Sequence, residues 1–475
     1  MTPSETDKNQ QMKLHFFGAA GNVTGSSYVL EFNKTKVLID CGLYQEREYL
    51  DRNWNPFPFD PKTLTAVLLT HGHLDHCGLL PKLYREGFKG KIFSTNASLQ
   101  IAQIILNDSA RIQEEDAKAK IRRHQKENRT TKHTPKALYT PQEVDFTFEH
   151  TREVKYRENV QISNDLSAHY INTGHIIGSA AIKITLNNQI KTSILFSGDI
   201  GRYHKPILQD PDNLPSVDYM VTESTYGGKE HSKGNICEDL KSIILSTIAK
   251  NGKIIIPSFA VERTQELLYY LFCLFQRNEI PSIPVFMDSP MAAKAIKVFE
   301  ENKHLYDKEM LNYYKQNLSP FQFKELQIIS SRDESKKVNA FKGSAIIIAG
   351  SGMCTGGRIK HHLAQNIQDP NNTILFVGYQ ANGTLGRQIL EKNKEVRILG
   401  VFFKVNANIA KLNGLSAHAD RTEIITWLKT MPNKPKRIFI THGEENSSKE
   451  LDIAIKSNLG WDTTIPKFNE TFNLE

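Results

Sequence analysis

Residues 66–76 read Ala66-Val67-Leu68-Leu69-Thr70-His71-Gly72-His73-Leu74-Asp75-His76. The first five predict a buried strand, because a short apolar run ending at a polar residue fits a core strand. It passes directly into a loop that carries three histidines and an aspartate within six residues. Side chains so closely spaced on a loop leaving a strand can be aimed at one point. Imidazole and carboxylate are the ligands zinc takes in hydrolytic sites. A metal held only by side-chain nitrogen and oxygen keeps an open position for water, and zinc lowers the pKa of a bound water to roughly 7.

Further candidates recur in one pattern of strand, ligand and glycine. His175 stands in Thr173-Gly174-His175, Asp199 in Ser197-Gly198-Asp199, and His442 in Thr441-His442-Gly443. Singly, each is as consistent with a capping or core residue. Together they fit one edge of a β-sandwich that builds a metal site. Asp40 also ends a strand, after Leu38-Ile39. It reads as a carboxylate that fixes a histidine's orientation, or as a ligand, or as a turn residue before Cys41-Gly42.

Around this nucleus the pattern is β-rich. Residues 14–18, 27–32 and 36–40 predict short strands. Residues 79–86 and 98–115 predict helices, and the charge-dense segment 114–133 a solvated helix end and loop that a polyanion could contact. Strands resume at 168–173, 181–186 and 193–197. From about 210 to 390, apolar strands (219–222, 253–257, 285–288, 345–349, 373–377) alternate with helical stretches such as 263–275, the texture of an α/β domain with a parallel sheet. After about 396 short strands return, followed by a helix at 421–429 and a strand at 437–440. The expected organisation is a β-rich hydrolase domain in two pieces, 12–210 and 393–475, with an α/β domain, 211–392, inserted between them.

The chain has 475 residues, enough for two or three domains. Its net charge of +8 suits a polyanionic partner without requiring one. The five cysteines, Cys41, Cys77, Cys237, Cys273 and Cys354, are odd in number and far apart. They argue against a disulfide framework or cysteine-ligated zinc and fit a reducing compartment. Residues 1–11 are polar and lack the apolar core of a signal peptide, and no apolar run is long enough to span a bilayer. A cytoplasmic protein without a membrane partner is expected.

These motifs together resemble the metallo-β-lactamase superfamily. His71 to His76 is similar to its HxHxDH motif, and His175, Asp199 and Asp40 look like its remaining motifs. The inserted domain resembles that of the β-CASP nucleases. Glu223 in Thr222-Glu223-Ser224-Thr225-Tyr226-Gly227, His418 in Ser416-Ala417-His418-Ala419-Asp420, and His442 look like the three extra motifs of that subfamily. The resemblance runs from about residue 12 to the end, and is strongest to prokaryotic relatives of the nuclease subunit of the cleavage and polyadenylation machinery.

The resemblance implies an αββα metallo-β-lactamase sandwich with an inserted α/β (β-CASP) domain and two Zn2+ per chain. His71, His73 and His175 would hold one zinc; Asp75, His76 and His442 the other; Asp199 would bridge them. Catalysis would rest on Asp75, on His418 as general acid to the leaving oxygen, and on Glu223, which orients His418. The implied reaction is zinc-dependent hydrolysis of single-stranded RNA phosphodiesters in RNA processing or decay, by internal cutting, 5′ exonuclease action or both, leaving 3′-hydroxyl and 5′-phosphate ends. DNA-processing relatives lack a histidine at the third extra motif, so His442 favours RNA. The competing expectations are a small-molecule ester or thioester hydrolase on the same metal core, and a DNA nuclease. The sequence stops soon after the second hydrolase piece, and assembly into a large complex is not expected; a monomer and a homodimer are both compatible with it.

One further segment, Ser351-Gly352-Met353-Cys354-Thr355-Gly356-Gly357-Arg358, follows an apolar strand. It reads either as a tight turn into a helix or as a backbone cradle for phosphate, with Arg358 adding a forked contact. The family carries a similar segment on its phosphate-binding side, which makes Ser351, Gly352, Gly356, Gly357 and Arg358 the RNA-binding candidates. Ser258 and Arg263, on another strand-to-helix turn, are read either as RNA contacts or as capping and packing residues. His231 is read as a solvated loop histidine before a cleft residue.

Overall fold

A computed structural model describes residues 12–127, 135–187, 191–231 and 234–475. Residues 1–11, read above as lacking a signal peptide, and 128–133, the end of the charge-dense segment, lie outside the described residues. The chain divides into two compact units: residues 1–204, 210–230 and 418–475, and residues 205–209 and 231–417.

The first unit is built on two seven-stranded sheets. One runs, in spatial order, Glu470–Leu474, Met12–Phe16, Tyr28–Phe32, Thr35–Ile39, Ala66–Leu68, Lys91–Thr95 and Thr151–Val154. The other runs Thr463–Thr464, Arg437–Thr441, Tyr219–Glu223, Ser193–Phe196, Ala180–Leu186, Leu166–Asn172 and Asn159–Gln161. Alternate residues of each strand face opposite ways. Leu14, Phe16, Leu30, Val37 and Leu68 of the first sheet therefore share a core with Ala168, Ile182, Phe196, Val221 and Phe439 of the second. The outward residues Leu38, Val67 and Ile92 pack under the helices Leu80–Arg85, Asn96–Lys126 and Pro141–Phe148. Leu195, Met220 and Ile440 pack under Arg421–Leu428 and Glu445–Leu459. The layers are helix, sheet, sheet, helix.

The second unit is an open parallel sheet ordered Leu326–Ile328, Val285–Asp288, Ile346–Ala349, Ile254–Pro257, Thr373–Phe376 and Asn408–Lys411. Its central strands are all-apolar, as strands covered on both faces are. Lys205 ties the short segment 205–209 to this unit through Glu266 at 2.8 Å and the Ser416 carbonyl at 3.1 Å.

One helix differs from the expectation. Asn96–Lys126 spans 31 residues and continues into the charged segment, as far as Lys126, where the sequence predicts a helix end and loop from residue 114. The cause is local. Ala110 and Ala117 stay buried along one stripe, and Glu114 pairs with Lys118 one turn on, so charged residues that are themselves good helix formers extend the helix. No helix among the described residues is long and apolar enough to cross a membrane.

Candidate metal centre and active site

Strand register brings the candidates to one edge of the sandwich. Ile39 pairs in parallel with Leu68, so Asp40 and Thr70 emerge side by side. Phe196 pairs with Val221 and Glu223 with Thr441, so Asp199, Glu223 and His442 leave the second sheet together. The pairing of Asn172 with Ala180 makes a hairpin whose loop carries His175. Gly42 allows the metal loop to close against the preceding strand end: a Cβ there would meet the Asp75 carbonyl oxygen at 1.7 Å. Asp40 (φ 57°) and His442 (φ 51°) both hold left-handed backbone conformations that ordinary side chains rarely adopt, a form of strain that concentrates at functional sites.

Two ligand sets result. His71, His73, His175 and Asp199 form one, and Asp75, His76 and His442 the other; within each, the ligand atoms lie within 4.8 Å of one another. In the first, His73 Nδ1 lies 3.1 Å from His71 Nε2 and 3.2 Å from His175 Nε2, while Asp199 Oδ2 lies 3.4 and 3.3 Å from the latter two nitrogens. In the second, His442 Nε2 is 3.1 Å from His76 Nε2 and 3.5 Å from Asp75 Oδ2. Asp199 Oδ1 reaches this set too, 3.2 Å from His76 Nε2 and 3.7 Å from His442 Nε2. One carboxylate thus faces both groups.

Hydrogen bonds behind the site set the tautomers. Asp40 Oδ1 accepts from Thr70 N, and its Oδ2 from Thr70 Oγ1, both at 2.8 Å. His76 Nδ1 donates to the same Oδ2 at 2.7 Å, and His71 Nδ1 lies 3.0 Å from Thr70 Oγ1. Since the Thr70 hydroxyl proton goes to Asp40, His71 is the donor in that last bond. Both rings then turn Nε2 inward with its lone pair. His442 Nδ1 faces Thr225 Oγ1 at 3.0 Å, and that hydroxyl donates to the His442 carbonyl at 3.1 Å, with the same result. Orienting partners of this kind are what metal-bound histidines require. Thr70 and Thr225 were not among the sequence candidates. Each lies next to one in the chain, but only the folded register shows the bond.

The donor set fits a cation. Burial, helped by neighbouring imidazoles, pushes His71 down to about 3 and lowers His73 and His175, leaving three neutral rings. Asp199 stays ionised: burial alone would raise its pKa, but the surrounding His442, His76 and His71 outweigh that. Its Oδ1 is buried and receives no hydrogen bond, although His76 stands within ion-pair range. At His76, burial acts to lower the pKa, yet Asp199 and Asp40 raise it well above the ordinary value. The position attracts positive charge, as a metal site must.

Beside the first set lies a second arrangement. Asp199, Glu223 and His418 also converge within 4.8 Å. His418 Nδ1 lies 3.2 and 3.1 Å from the two Glu223 oxygens and 3.8 Å from Asp199 Oδ2. Glu223 Oε1 also accepts from Ile200 N at 2.5 Å, and Ala419 N donates to the Ile200 carbonyl at 2.8 Å. The loop after Asp199 and the segment bearing His418 are therefore fixed to each other. Burial would lower the His418 pKa, but Glu223 and Asp199 prevail and raise it to about 9.

The glycine-rich segment 351–358 lies in the other unit, at the carboxyl end of Ile346–Ala349. Ser351 Oγ accepts from Thr355 N at 3.0 Å and from Gly356 N at 3.3 Å. Gly352 and Gly357 pack against Phe259 and the Gly350 carbonyl, respectively. The Arg358 guanidinium is engaged by Asp288 Oδ1 at 2.5 Å and by the Ile329 and Ser330 carbonyls. Ser258 is buried and accepts from Thr264 Oγ1, and Arg263 donates to the Val377 carbonyl.

A double-sheet sandwich with a histidine and aspartate cluster at one edge defines a metal-dependent hydrolase of the metallo-β-lactamase type. Comparison with known proteins narrows the class. Residues 29–218 match the Metallo-beta-lactamase superfamily domain, 264–389 the Beta-Casp domain, and 403–466 the Zn-dependent metallo-hydrolase RNA specificity domain. The chain is 35% identical over 460 residues to Ribonuclease TTHA0252 of Thermus thermophilus, covering 97% of this chain and 99% of that one. It is 28% identical over 485 residues to the transcription termination factor FttA of Methanosarcina mazei, covering 99% of this chain and 72% of the relative. A crystal structure of a protein of unknown function from Enterococcus faecalis shares the fold, with a TM-score of 0.58 at 10% identity over 98% of this chain and 100% of that one. The chain belongs to the metallo-β-lactamase superfamily, in the branch with an inserted Beta-Casp domain.

Proposed function

We propose that this protein is a zinc-dependent ribonuclease that hydrolyses phosphodiester bonds of single-stranded RNA. The observation that carries the reading is Asp199: one buried, ionised carboxylate facing two sets of metal-type ligands and, on another side, the His418–Glu223 pair. His71, His73 and His175 would hold one zinc, and Asp75, His76 and His442 the other, with Asp199 shared. When bound, the two ions supply Lewis acidity and neutralise charge on the phosphoryl group.

The chain's own groups do the rest. Glu223 holds the His418 imidazole by Nδ1 and keeps it protonated near neutral pH. Through Nε2, His418 gives its proton to the departing ribose oxygen, which is a poor leaving group without it. Asp75 is less deeply buried than His76 and His442, with 19% of its side chain exposed against 2–3% for those two. Its pKa is kept low by His442 and His76 against the effect of burial, so it stays ionised and orients the attacking water. The 351–357 loop supplies the RNA backbone contact, with Arg358 shaping it from behind through Asp288. The relatives named as a ribonuclease and as termination factors support RNA as substrate. Five free cysteines, four of them buried, suit the cytoplasm.

His418→Ala is expected to lower RNA turnover by roughly 100- to 10,000-fold, the range for removing a general acid, while metal analysis still finds two zinc ions per chain. Loss of metal from that variant would contradict the role given to His418.

A further inference from the structure

Phe259 is an aromatic ring that none of the chemistry above uses. It follows the strand Ile254–Pro257, which has Ile346–Ala349 on one side and Thr373–Phe376 on the other. From Ile254–Pro257 the chain proceeds to Val285–Asp288 on one flank, and after Ile346–Ala349 it crosses to Thr373–Phe376 on the other. Open parallel sheets bind ligands outside the carboxyl ends of their strands at such a switch of direction.

The ring rests on a prepared floor. Its Cδ2–Cε2 side lies against two glycines from the flanking strand ends. A Cβ on Gly352 would come within 2.7 Å of it, and one on Gly378 within 3.4 Å. Gln380 joins the two glycines by donating from Nε2 to both carbonyls, at 3.0 and 3.2 Å. The turn carrying the ring contains Glu262 in a left-handed conformation, φ 65°, and is tied to the same floor by Arg263 on the Val377 carbonyl. Despite this seating, 40% of Phe259 is exposed, as is 56% of Tyr379, the neighbour of Gly378. Two exposed rings thus stand on turns at the carboxyl ends of neighbouring interior strands, Phe259 against the glycine-rich turn itself and Tyr379 next in the chain to Gly378. Aromatic side chains on which bases stack are a recurring means of holding unpaired nucleotides, and stacking tolerates any base because every base has a π-face.

We propose that Phe259, with Tyr379 beside it, is a stacking platform for a base of the bound single-stranded RNA. The assignment rests on the ribonuclease reading for its ligand. It is tested by fluorescence anisotropy with a short, labelled, phosphorothioate-linked RNA, with a single abasic position moved along the oligomer. Wild-type protein is expected to bind the intact oligomer about tenfold more tightly than the worst-placed abasic one, within the range for one stacked base. Phe259→Leu, which keeps apolar bulk but removes the π-face, is expected to lose that preference, and Phe259→Trp to restore it. A merely structural ring would leave the preference in place. If Phe259→Leu still prefers the intact oligomer, or the wild type shows no preference at any position, the platform is refuted. Cleavage of unmodified RNA is followed in parallel. Preference without cutting would overturn the ribonuclease reading and leave the platform standing; cutting without preference would do the reverse.

Discussion

Glu223 has two tasks, holding the loop after Asp199 through Ile200 N and holding His418 through Nδ1. The second fixes a sign. In the proposed role His418 must be protonated to serve as the acid, so activity is expected below its pKa of about 9 and is expected to be lost as pH rises through it. Glu223→Gln keeps the shape but removes the charge that raises this pKa. The alkaline limb of its pH–rate profile is expected to move to lower pH than that of the wild type; an unmoved limb would contradict the pairing. Asp40 acts on the other side, through Thr70 and His76. Asp40→Asn is expected to weaken metal affinity by about 10- to 100-fold in a chelator competition, with the fold intact by circular dichroism. These residues differ in how they could be read from sequence. His71 to His76 announce themselves by density, and His175, Asp199 and His442 by a repeated strand-end pattern. Thr70 and Thr225 carry no pattern, because a threonine beside a ligand is ordinary until register places its hydroxyl.

At the scale of elements, the strands were legible wherever a run of apolar residues was bounded by glycine or a polar turn. Residues 345–349 and 253–257, for instance, match Ile346–Ala349 and Ile254–Pro257 closely. The long helix was legible over 98–115 but not in its extension to Lys126, since charge density alone does not tell a solvated helix from a loop. Arg358 illustrates a different limit. Its partner Asp288 lies 70 positions away on a neighbouring parallel strand end, a proximity that only sheet order reveals. Asp288 is fully buried and also binds His362 at 2.7 Å and the Ser335 hydroxyl. His362, Ser335 and Arg358 keep its carboxyl below the usual range against the effect of burial. Asp288→Ala strands two buried partners, so a loss of about 3–5 kcal/mol in the stability of this unit is expected. Thermal unfolding would show it, and hydrogen exchange would show faster opening of the 351–357 loop. Wild-type melting would contradict the view that this carboxylate anchors the loop.

For the molecule as a whole, ligands from both sheets and from positions as far apart as His71 and His442 must converge for the proposed chemistry to run. Purified protein incubated with 5′-labelled single-stranded RNA, beside matched DNA, a chelated sample and the His76→Ala variant, tests that directly. Metal-dependent cleavage of RNA in preference to DNA, abolished by chelation and by His76→Ala, is the predicted result. Intact RNA after incubation with protein shown to hold two metal ions would contradict the ribonuclease assignment and turn attention to esters or DNA as substrate.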